Sequence, residues 1–332
     1  MAKLPDSHSA KTHASLAFLL LAAALSTFPP VTTDIYLPAL PQLTASLRGT
    51  TAQGQQTLAF YFLGLSIGQL FYGPWSDRIG RRPTMLIGVA VFLAASLGCA
   101  VASSMQAMIG LRFCQGLGAC AGLVTSSAIV RDRYDHQQSA RIFSLLLLSR
   151  GLGPLLAPLA GGVIVTFVGW RAIFWALAAF GALLGAWVLF GFKESRTAEV
   201  AARARSESPW KAYGSALRNP RIVGYVCTNG LNFACMFAWI AAAPYLIIAG
   251  YGVPALYFGW IFGINAVGFM TASQINRRLL RTIAADRMMI GGATTAAGAF
   301  ISHQTALAMA AVIFACALGA LVFPVRLLLR PR

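Results

Sequence analysis

The sequence predicts an all-α polytopic membrane protein, and its hydrophobicity, its apolar stretches and the placement of its charges all favour that class. Of the 332 residues, 58% are hydrophobic and only 11% are charged, which leaves too little polar surface to cover a soluble globule. A net charge of +17 would point to nucleic acid in a soluble protein. Attraction to anionic lipid headgroups explains this charge in a membrane protein, so we expect lipid and no nucleic acid as partner.

Ten apolar stretches are long enough to cross about 30 Å of hydrocarbon, which takes roughly 20 residues. These predicted spans cover residues 15–37, 55–75, 83–104, 106–130, 141–168, 172–192, 222–248, 255–276, 287–303 and 305–325. The first span follows a short basic segment, as the core of a cleaved secretory signal would. It is too long for such a core, so a membrane helix is the favoured interpretation.

The positive charges alternate between the two ends of successive spans. If the N-terminus lies in the cytoplasm, nearly every Lys and Arg falls on the cytoplasmic side, as the positive-inside rule requires. The exceptions are Arg48 and Arg171, on the outer side, and Arg112 and Arg150, inside spans. This bias predicts a multi-pass protein with a cytoplasmic N-terminus.

A charged segment rich in Ala and Ser divides the ten spans into six and four. The expected units are a cytoplasmic N-terminus (1–14), a six-helix transmembrane bundle (15–192), a cytoplasmic linker (193–220), a partial, about four-helix bundle (221–325) and a basic tail (326–332). Two bundles joined by a linker are typical of transporters that hold their substrate between two halves.

The segment from Gly73 to Pro83 combines charges with helix-breaking residues, which predicts a tight loop at the membrane surface. Its sequence is Gly73, three residues, Asp77-Arg78, one residue, then Gly80-Arg81-Arg82. This pattern resembles the signature between spans two and three of the major facilitator superfamily.

Three further segments narrow the resemblance. Residues 111–119 are similar to the fourth-helix motif of proton-linked transporters, and residues 153–162 resemble the antiporter motif of the fifth helix. Residues 34–38 and 169–174 resemble the Bcr/CflA branch of bacterial drug:proton antiporters. The resemblance implies the major-facilitator fold and proton-coupled efflux of drugs or other small amphipathic molecules across the bacterial inner membrane. The proton gradient would supply the energy, without a cofactor.

Two charged residues inside the spans are candidates for proton coupling. Asp34 lies about 19 residues into span one, and Arg112 lies roughly 10 Å below the outer surface in span four, so their depths are compatible. An intramembrane carboxylate costs about 2.5 to 3.5 kcal/mol on insertion scales and by default serves a function. The resemblance implies that the function is proton exchange. The alternatives are an interfacial cap for Asp34 and helix tying for Arg112.

Several polar, aromatic or adaptable side chains are predicted to line a substrate cavity: Tyr36, Gln115, Asn229, Asn232, Met236, Trp239 and Asn265. Such a wall suits an amphipathic or cationic drug. For the aromatic residues, anchoring at the membrane interface is the alternative. Arg150 departs from the apolar character expected in span five, and three interpretations stay open: a substrate-facing residue, a snorkelling arginine or an unusual family member.

The resemblance also implies conformational gating by the charged signature and its neighbour at the end of span four: Gly73, Asp77, Arg78, Gly80, Arg81, Arg82 and Asp132. Asp77 would also cap the eleventh helix. The antiporter-motif helix carries residues that remove side-chain bulk and backbone donors, which permits close packing or bending: Gly153, Pro154, Pro158, Gly161 and Gly162. Small-residue pairs in other spans are interpreted as packing faces rather than oligomer contacts, so a monomer is expected.

Other chemistries find little support in the sequence. The six cysteines form no Cys-x-x-Cys pair, so neither a metal site nor a disulfide framework is predicted. The histidines are scattered and no phosphate-binding loop occurs, which disfavours a polytopic membrane enzyme. Beyond Pro324 the chain becomes basic where a full-length relative would have about two more spans. We therefore expect a C-terminally truncated transporter, with a transport-inactive fragment as the alternative.

Overall fold

The structure is a computed structural model that describes residues 15–206 and 208–264, apart from a few side chains after residue 202. Helix α1 (Leu16–Asp34) is followed by a 3-10 turn (Leu37–Ala39) and α2 (Leu40–Ser46). The later helices are α3 (Thr51–Ile79), α4 (Arg81–Val101), α5 (Met105–Arg133), α6 (His136–Phe167), α7 (Trp170–Gly191), α8 (Ala198–Ser206), α9 (Pro209–Arg218), α10 (Pro220–Pro244) with a π-helical continuation (Tyr245–Gly250), and α11 (Ala255–Ile264). The described part contains no strand.

Among the described residues, six helical segments are long and apolar enough to cross a membrane: Leu16–Ser46, Arg81–Val101, Met105–Arg133, His136–Phe167, Trp170–Gly191 and Ile222–Gly250. Helix α3 is not among them because Gln, Gly and Tyr residues lower its hydropathy, although its 29 residues occupy the place of the second predicted span. These observations confirm the all-α polytopic class. The eighth predicted span beyond residue 264, and all of the ninth and tenth, lie outside the described residues.

Side-chain caps explain where several helices begin. The Ser15 hydroxyl accepts a hydrogen bond from the backbone N–H of Phe18 at 3.2 Å, and Thr50 and Gln53 form a reciprocal capping box at α3. Ser104 and Asp135 cap α5 and α6 in the same way. Each cap satisfies one of the backbone donors that a helix leaves unpaired in its first turn.

Helix α5 lies at the centre of the bundle, packed against α1, α3 and α4. Small residues make these approaches possible, because a Cβ on Gly118 would lie 2.5 Å from the backbone nitrogen of Phe92 on α4. A Cβ on Gly68 of α3 would lie 2.7 Å from Cβ of Cys120. The small-residue pairs therefore face other helices of the same chain, as the packing interpretation predicts.

The segment predicted to be a loop, residues 73–83, is helical except at Gly80, so that expectation was wrong. Pro74 has no N–H to give to the carbonyl of Leu70, but the Tyr213 hydroxyl of α9 donates a hydrogen bond to that oxygen at 3.1 Å. This contact replaces the bond that the proline removes. Gly80, with φ of +113°, makes the turn alone, since glycine tolerates positive φ.

Candidate functional site

The most unusual group inside the bundle is the guanidinium of Arg112 in α5, a side chain with 0% exposure. Its Nη1 donates a hydrogen bond to Oε1 of Gln115 at 2.5 Å, and Nε2 of Gln115 donates to the hydroxyl of Ser96 at 2.8 Å. Nε and Nη2 of Arg112 are buried and have no hydrogen-bond partner among the described residues. A buried cation with unused donors is costly to maintain, which marks this position as a functional candidate.

Two tyrosine rings enclose this guanidinium. The Arg112 Cζ lies 4.4 Å from the ring centroid of Tyr36 and 4.5 Å from that of Tyr61. The Tyr36 hydroxyl is 2.6 Å from Oγ1 of Thr57, which itself donates to the carbonyl of Gly54 at 2.5 Å. The rings compensate part of the lost hydration of the cation through its attraction to their π faces.

Asp34, the last residue of α1, lies in the same region with 6% exposure. It forms no ion pair with Arg112: in the part of the chain that the structure describes, both ion pairs belong to Arg81. Tyr61 stands within electrostatic range of both Asp34 and Arg112. The two predicted coupling residues are thus both buried in the region of Tyr61, without an ion pair between them.

The residues predicted to line a substrate cavity fall into two groups. Tyr36 and Gln115 are fully enclosed in the polar cluster, not exposed to open space. On α10, Asn229 and Trp239 are exposed and Met236 is partly buried. The side chain of Asn232 and all of Asn265 lie outside the described residues.

Helix α10 approaches the first bundle through a residue outside the predicted face. The Phe237 ring centroid lies 3.9 Å from that of Phe62 on α3. A groove of about 380 Å³ also separates α6 from α11, but its lining is apolar: Leu159, Ala160, Val163, Ile164, Leu256 and Trp260. This groove does not match the polar cavity expected from the sequence.

At one end of the bundle, Arg81 joins two carboxylates of the predicted gating set. Its side chain is 4% exposed, pairs with Asp77 one turn earlier, and places Nε 2.8 Å from the Asp132 carboxylate at the end of α5. Arg78 does not join this cluster, because its Nε donates to the carbonyl of Ala204 on α8. Arg82 donates to the carbonyl of Leu189 at 2.5 Å. Gly73 lies inside α3, with open space where its Cβ would be.

Glu194, just after α7, completes this end and was not predicted from the sequence. Helix α4 begins after a glycine that has no side chain to cap it, and the Glu194 carboxylate accepts the backbone N–H of Arg81 at 2.9 Å and of Arg82 at 3.1 Å. Burial alone would raise the pKa of Glu194, but these bonds and those from Ser195 and Arg196 lower it below the ordinary value. An ionised carboxylate therefore caps α4 near neutral pH.

At the opposite end of the bundle, the chain beyond the linker contacts the first six spans directly. The Tyr245 hydroxyl lies 2.7 Å from Oγ1 of Thr44 on α2. A Cβ on Gly54 of α3 would collide with that tyrosine hydroxyl and approach the threonine oxygen to 2.5 Å. The end of α10 and its π-helical continuation is therefore in direct contact with α2 and α3 here.

Helix α6, which carries the antiporter motif, is continuous through both of its prolines, Pro154 and Pro158. A Cβ on Gly161 would collide with the carbonyl oxygen of Ile35, just beyond α1, and a Cβ on Gly162 would lie 2.7 Å from the carbonyl oxygen of Ala255 on α11. Two adjacent glycines thus bring one helix against backbone on both sides. Gly153 makes looser contacts with α1.

Replacing Gly161 with Ala is expected to destabilise the protein by about 1 to 3 kcal/mol, because the new methyl group meets a backbone oxygen that cannot rotate away. Gly110→Ala in α5 is the matched control, since a Cβ there has no neighbour within 4 Å. Thermal unfolding in detergent measures both. Equal stability of the two variants would show that α1 and α6 are not packed this closely.

Comparison with known proteins identifies relatives that all belong to one class of membrane transporter. Residues 14–329 match the Major Facilitator Superfamily. A bicyclomycin resistance protein homolog from Haemophilus influenzae is 33% identical over 272 residues, which are 82% of this chain and 68% of that protein. The uncharacterized MFS-type transporter YdgK of Bacillus subtilis is 35% identical over 267 residues, 80% of this chain and 66% of the relative. Multidrug resistance protein MdtL of Salmonella paratyphi B is 33% identical over 231 residues, which are 70% of this chain and 58% of that protein.

The chain therefore spans 58% to 68% of the length of these relatives. Among solved structures, a D-xylose-proton symporter aligns with a TM-score of 0.65 and 16% identity, over 93% of this chain and 81% of that one. A bacterial homolog of the human lysosomal transporter Spinster, inward-facing and unoccupied, aligns with a TM-score of 0.62 and 16% identity, over 92% and 73%. At 16% identity, these two alignments show a similar fold alone.

Proposed function

The chain belongs to the major facilitator superfamily, a family of membrane transporters, and we propose that it exports small amphipathic molecules in exchange for protons across the bacterial inner membrane. The transporter class itself is established by the family, and the alternative of a polytopic enzyme is not supported. Relatives named for bicyclomycin and multidrug resistance support drugs as the substrate class.

The observation that carries the proposal is the buried cluster of Asp34, Tyr61 and Arg112. One carboxylate and one unpaired guanidinium held in the membrane interior respond to protonation, because the net charge of the cluster changes with the proton. Protons from the outer side would neutralise Asp34. Rocking of the two bundles would then open the site to the cytoplasm, where the proton is released. The charge distribution supports a cytoplasmic N-terminus.

The Arg81 cluster supports a gating role at the end of the bundle that the charge distribution predicts to be cytoplasmic. Its ion pairs link α3, α4 and α5, and Glu194 ties the segment after α7 to the same point. Breaking these contacts would be part of the change between inward-facing and outward-facing states. The contact between Tyr245 and Thr44, which joins the two parts of the chain at the other end, supports an inward-facing state for this structure.

Inverted membrane vesicles from an efflux-deficient host test the proposal. With a proton gradient, vesicles containing the chain are expected to accumulate amphipathic dyes at least several-fold above vesicles from the empty host. Collapsing the gradient with nigericin should remove the difference. Accumulation that does not depend on the gradient would refute proton coupling, and no accumulation would favour the transport-inactive alternative.

A further inference from the structure

The predicted spans contain more positive than negative charge. Away from the span ends, their charged residues are Asp34, Arg112 and Arg150. The interior therefore has one excess positive charge when Asp34 is ionised and two when it is protonated. Arg112 occupies the buried cluster with Asp34, which leaves Arg150 without an assigned counter-charge.

Arg150 lies on α6 at the border between the buried face of the helix and its exposed face. The residues one or two turns away on its own stripe, Leu146, Gly153 and Ala157, are all buried. The exposed face of α6 carries five leucines: Leu145, Leu147, Leu148, Leu152 and Leu156. Because residues three and four apart share a helix face, Arg150 is next to both the buried Leu146 and the exposed Leu147, and its own side chain is half-buried.

Contacts further along α6 show which elements this helix borders. On the stripe of Arg150, Gly153 lies next to Pro30 and Val31 of α1, with a nearest distance of 3.5 Å from its Cβ position. On the neighbouring face, the carbonyl oxygen of Pro158 lies 2.7 Å from the Cβ position of Gly259 on α11. Helix α6 thus borders both the first bundle and the chain that follows the linker, and transporters of two halves hold substrate between such halves. Arg150 lies about 12 Å along this helix from the contact with α11.

The side chain of Arg150 has an unused hydrogen-bond donor that a ligand could accept. The side chain is half-buried, its Nε is buried without a hydrogen-bond partner among the described residues, and no described carboxylate forms an ion pair with it. A guanidinium presents several donors in a planar fork that matches a carboxylate.

We propose that Arg150 binds the anionic group of the substrate, so that the transporter prefers amphipathic acids to permanent cations. The proposal rests on the export function above and replaces the expectation of a cationic drug. Repulsion by Arg112 and Arg150 disfavours a cation in either protonation state of Asp34. The membrane potential, negative inside, also favours the exit of an anion.

Binding to the purified full chain in liposomes tests this without requiring export. The probes are fluorescein, an aromatic acid, and ethidium, a permanent aromatic cation. We expect Arg150→Gln to weaken fluorescein binding at least tenfold and to leave ethidium binding unchanged or tighter. Arg150→Lys, which keeps the charge, should retain most of the fluorescein affinity. Arg141→Gln removes an exposed arginine from the same helix and should change neither affinity.

Tighter binding of ethidium than of fluorescein by the unmodified chain would overturn the proposal. Equal losses of both probes in Arg150→Gln, or a tenfold fluorescein loss in Arg150→Lys as well, would assign Arg150 a role in shaping the site instead of binding an anion. Preferential fluorescein binding without gradient-driven export would uphold the anion site and refute the transport function. The two hypotheses therefore fail separately.

Discussion

Asp34→Asn is expected to reduce proton-driven export to the level of vesicles that lack the protein. Asparagine keeps the size and polarity of the side chain but cannot take up a proton, so the link between the gradient and the conformational change is lost. Because Asp34 is the only acid well inside a predicted span, no second carboxylate at that depth replaces it. Dye accumulation in inverted vesicles, with an imposed pH gradient, measures the effect.

Exchange of labelled for unlabelled substrate, without any gradient, should persist in Asp34→Asn, because exchange needs the site and the rocking motion but no net proton movement. Glu199→Gln is the matched control, since Glu199 is an exposed acid in the first turn of α8, and its export should equal that of the unmodified chain. Proton-driven export by Asp34→Asn at more than a tenth of the normal rate would refute the coupling role.

Arg81→Met is expected to cost about 3 to 5 kcal/mol of unfolding free energy, the range found when one partner of a buried ion pair is removed. The change leaves the Asp132 carboxylate, 7% exposed, without its partner and also removes the contact with Asp77. Equilibrium unfolding of the purified chain in mixed micelles gives the difference directly.

The control for Arg81→Met is Arg131→Met, which removes an exposed cation from the last turn of α5 and should cost less than about 1 kcal/mol. Adding Asp132→Asn to Arg81→Met should recover part of the lost stability, since the unpaired charge disappears. If the double variant is less stable than Arg81→Met by the full cost of Asp132→Asn alone, the two side chains are not coupled.

Among the described residues, the predicted spans coincide with helices because their apolar runs have the length that a membrane requires. Sequence reasoning also grouped Asp77, Arg81 and Asp132, since charges at neighbouring span ends meet at one surface. It did not find Tyr61 or Glu194. An aromatic residue in an apolar run and an acid just after one are common, and only tertiary packing decides which partners they reach.

The error at residues 73–83 has a similar physical cause. Local propensity treats Pro74 as a helix breaker, because the carbonyl of Leu70 loses its donor. Tyr213, which is distant in sequence, supplies a replacement. A hydrogen bond of this kind has no local signature, so only the folded chain reveals it.

The paired glycines of α6 impose a geometric constraint on any cycle of motion. With Gly161 against the chain just after α1 and Gly162 against α11, the helix cannot tilt toward one neighbour without opening a gap at the other. Adding bulk at either position should therefore shift the resting balance of states in opposite directions. A bulky residue at one glycine, combined with a smaller side chain on the helix that packs against the other glycine, would therefore stabilise one chosen state of the transporter.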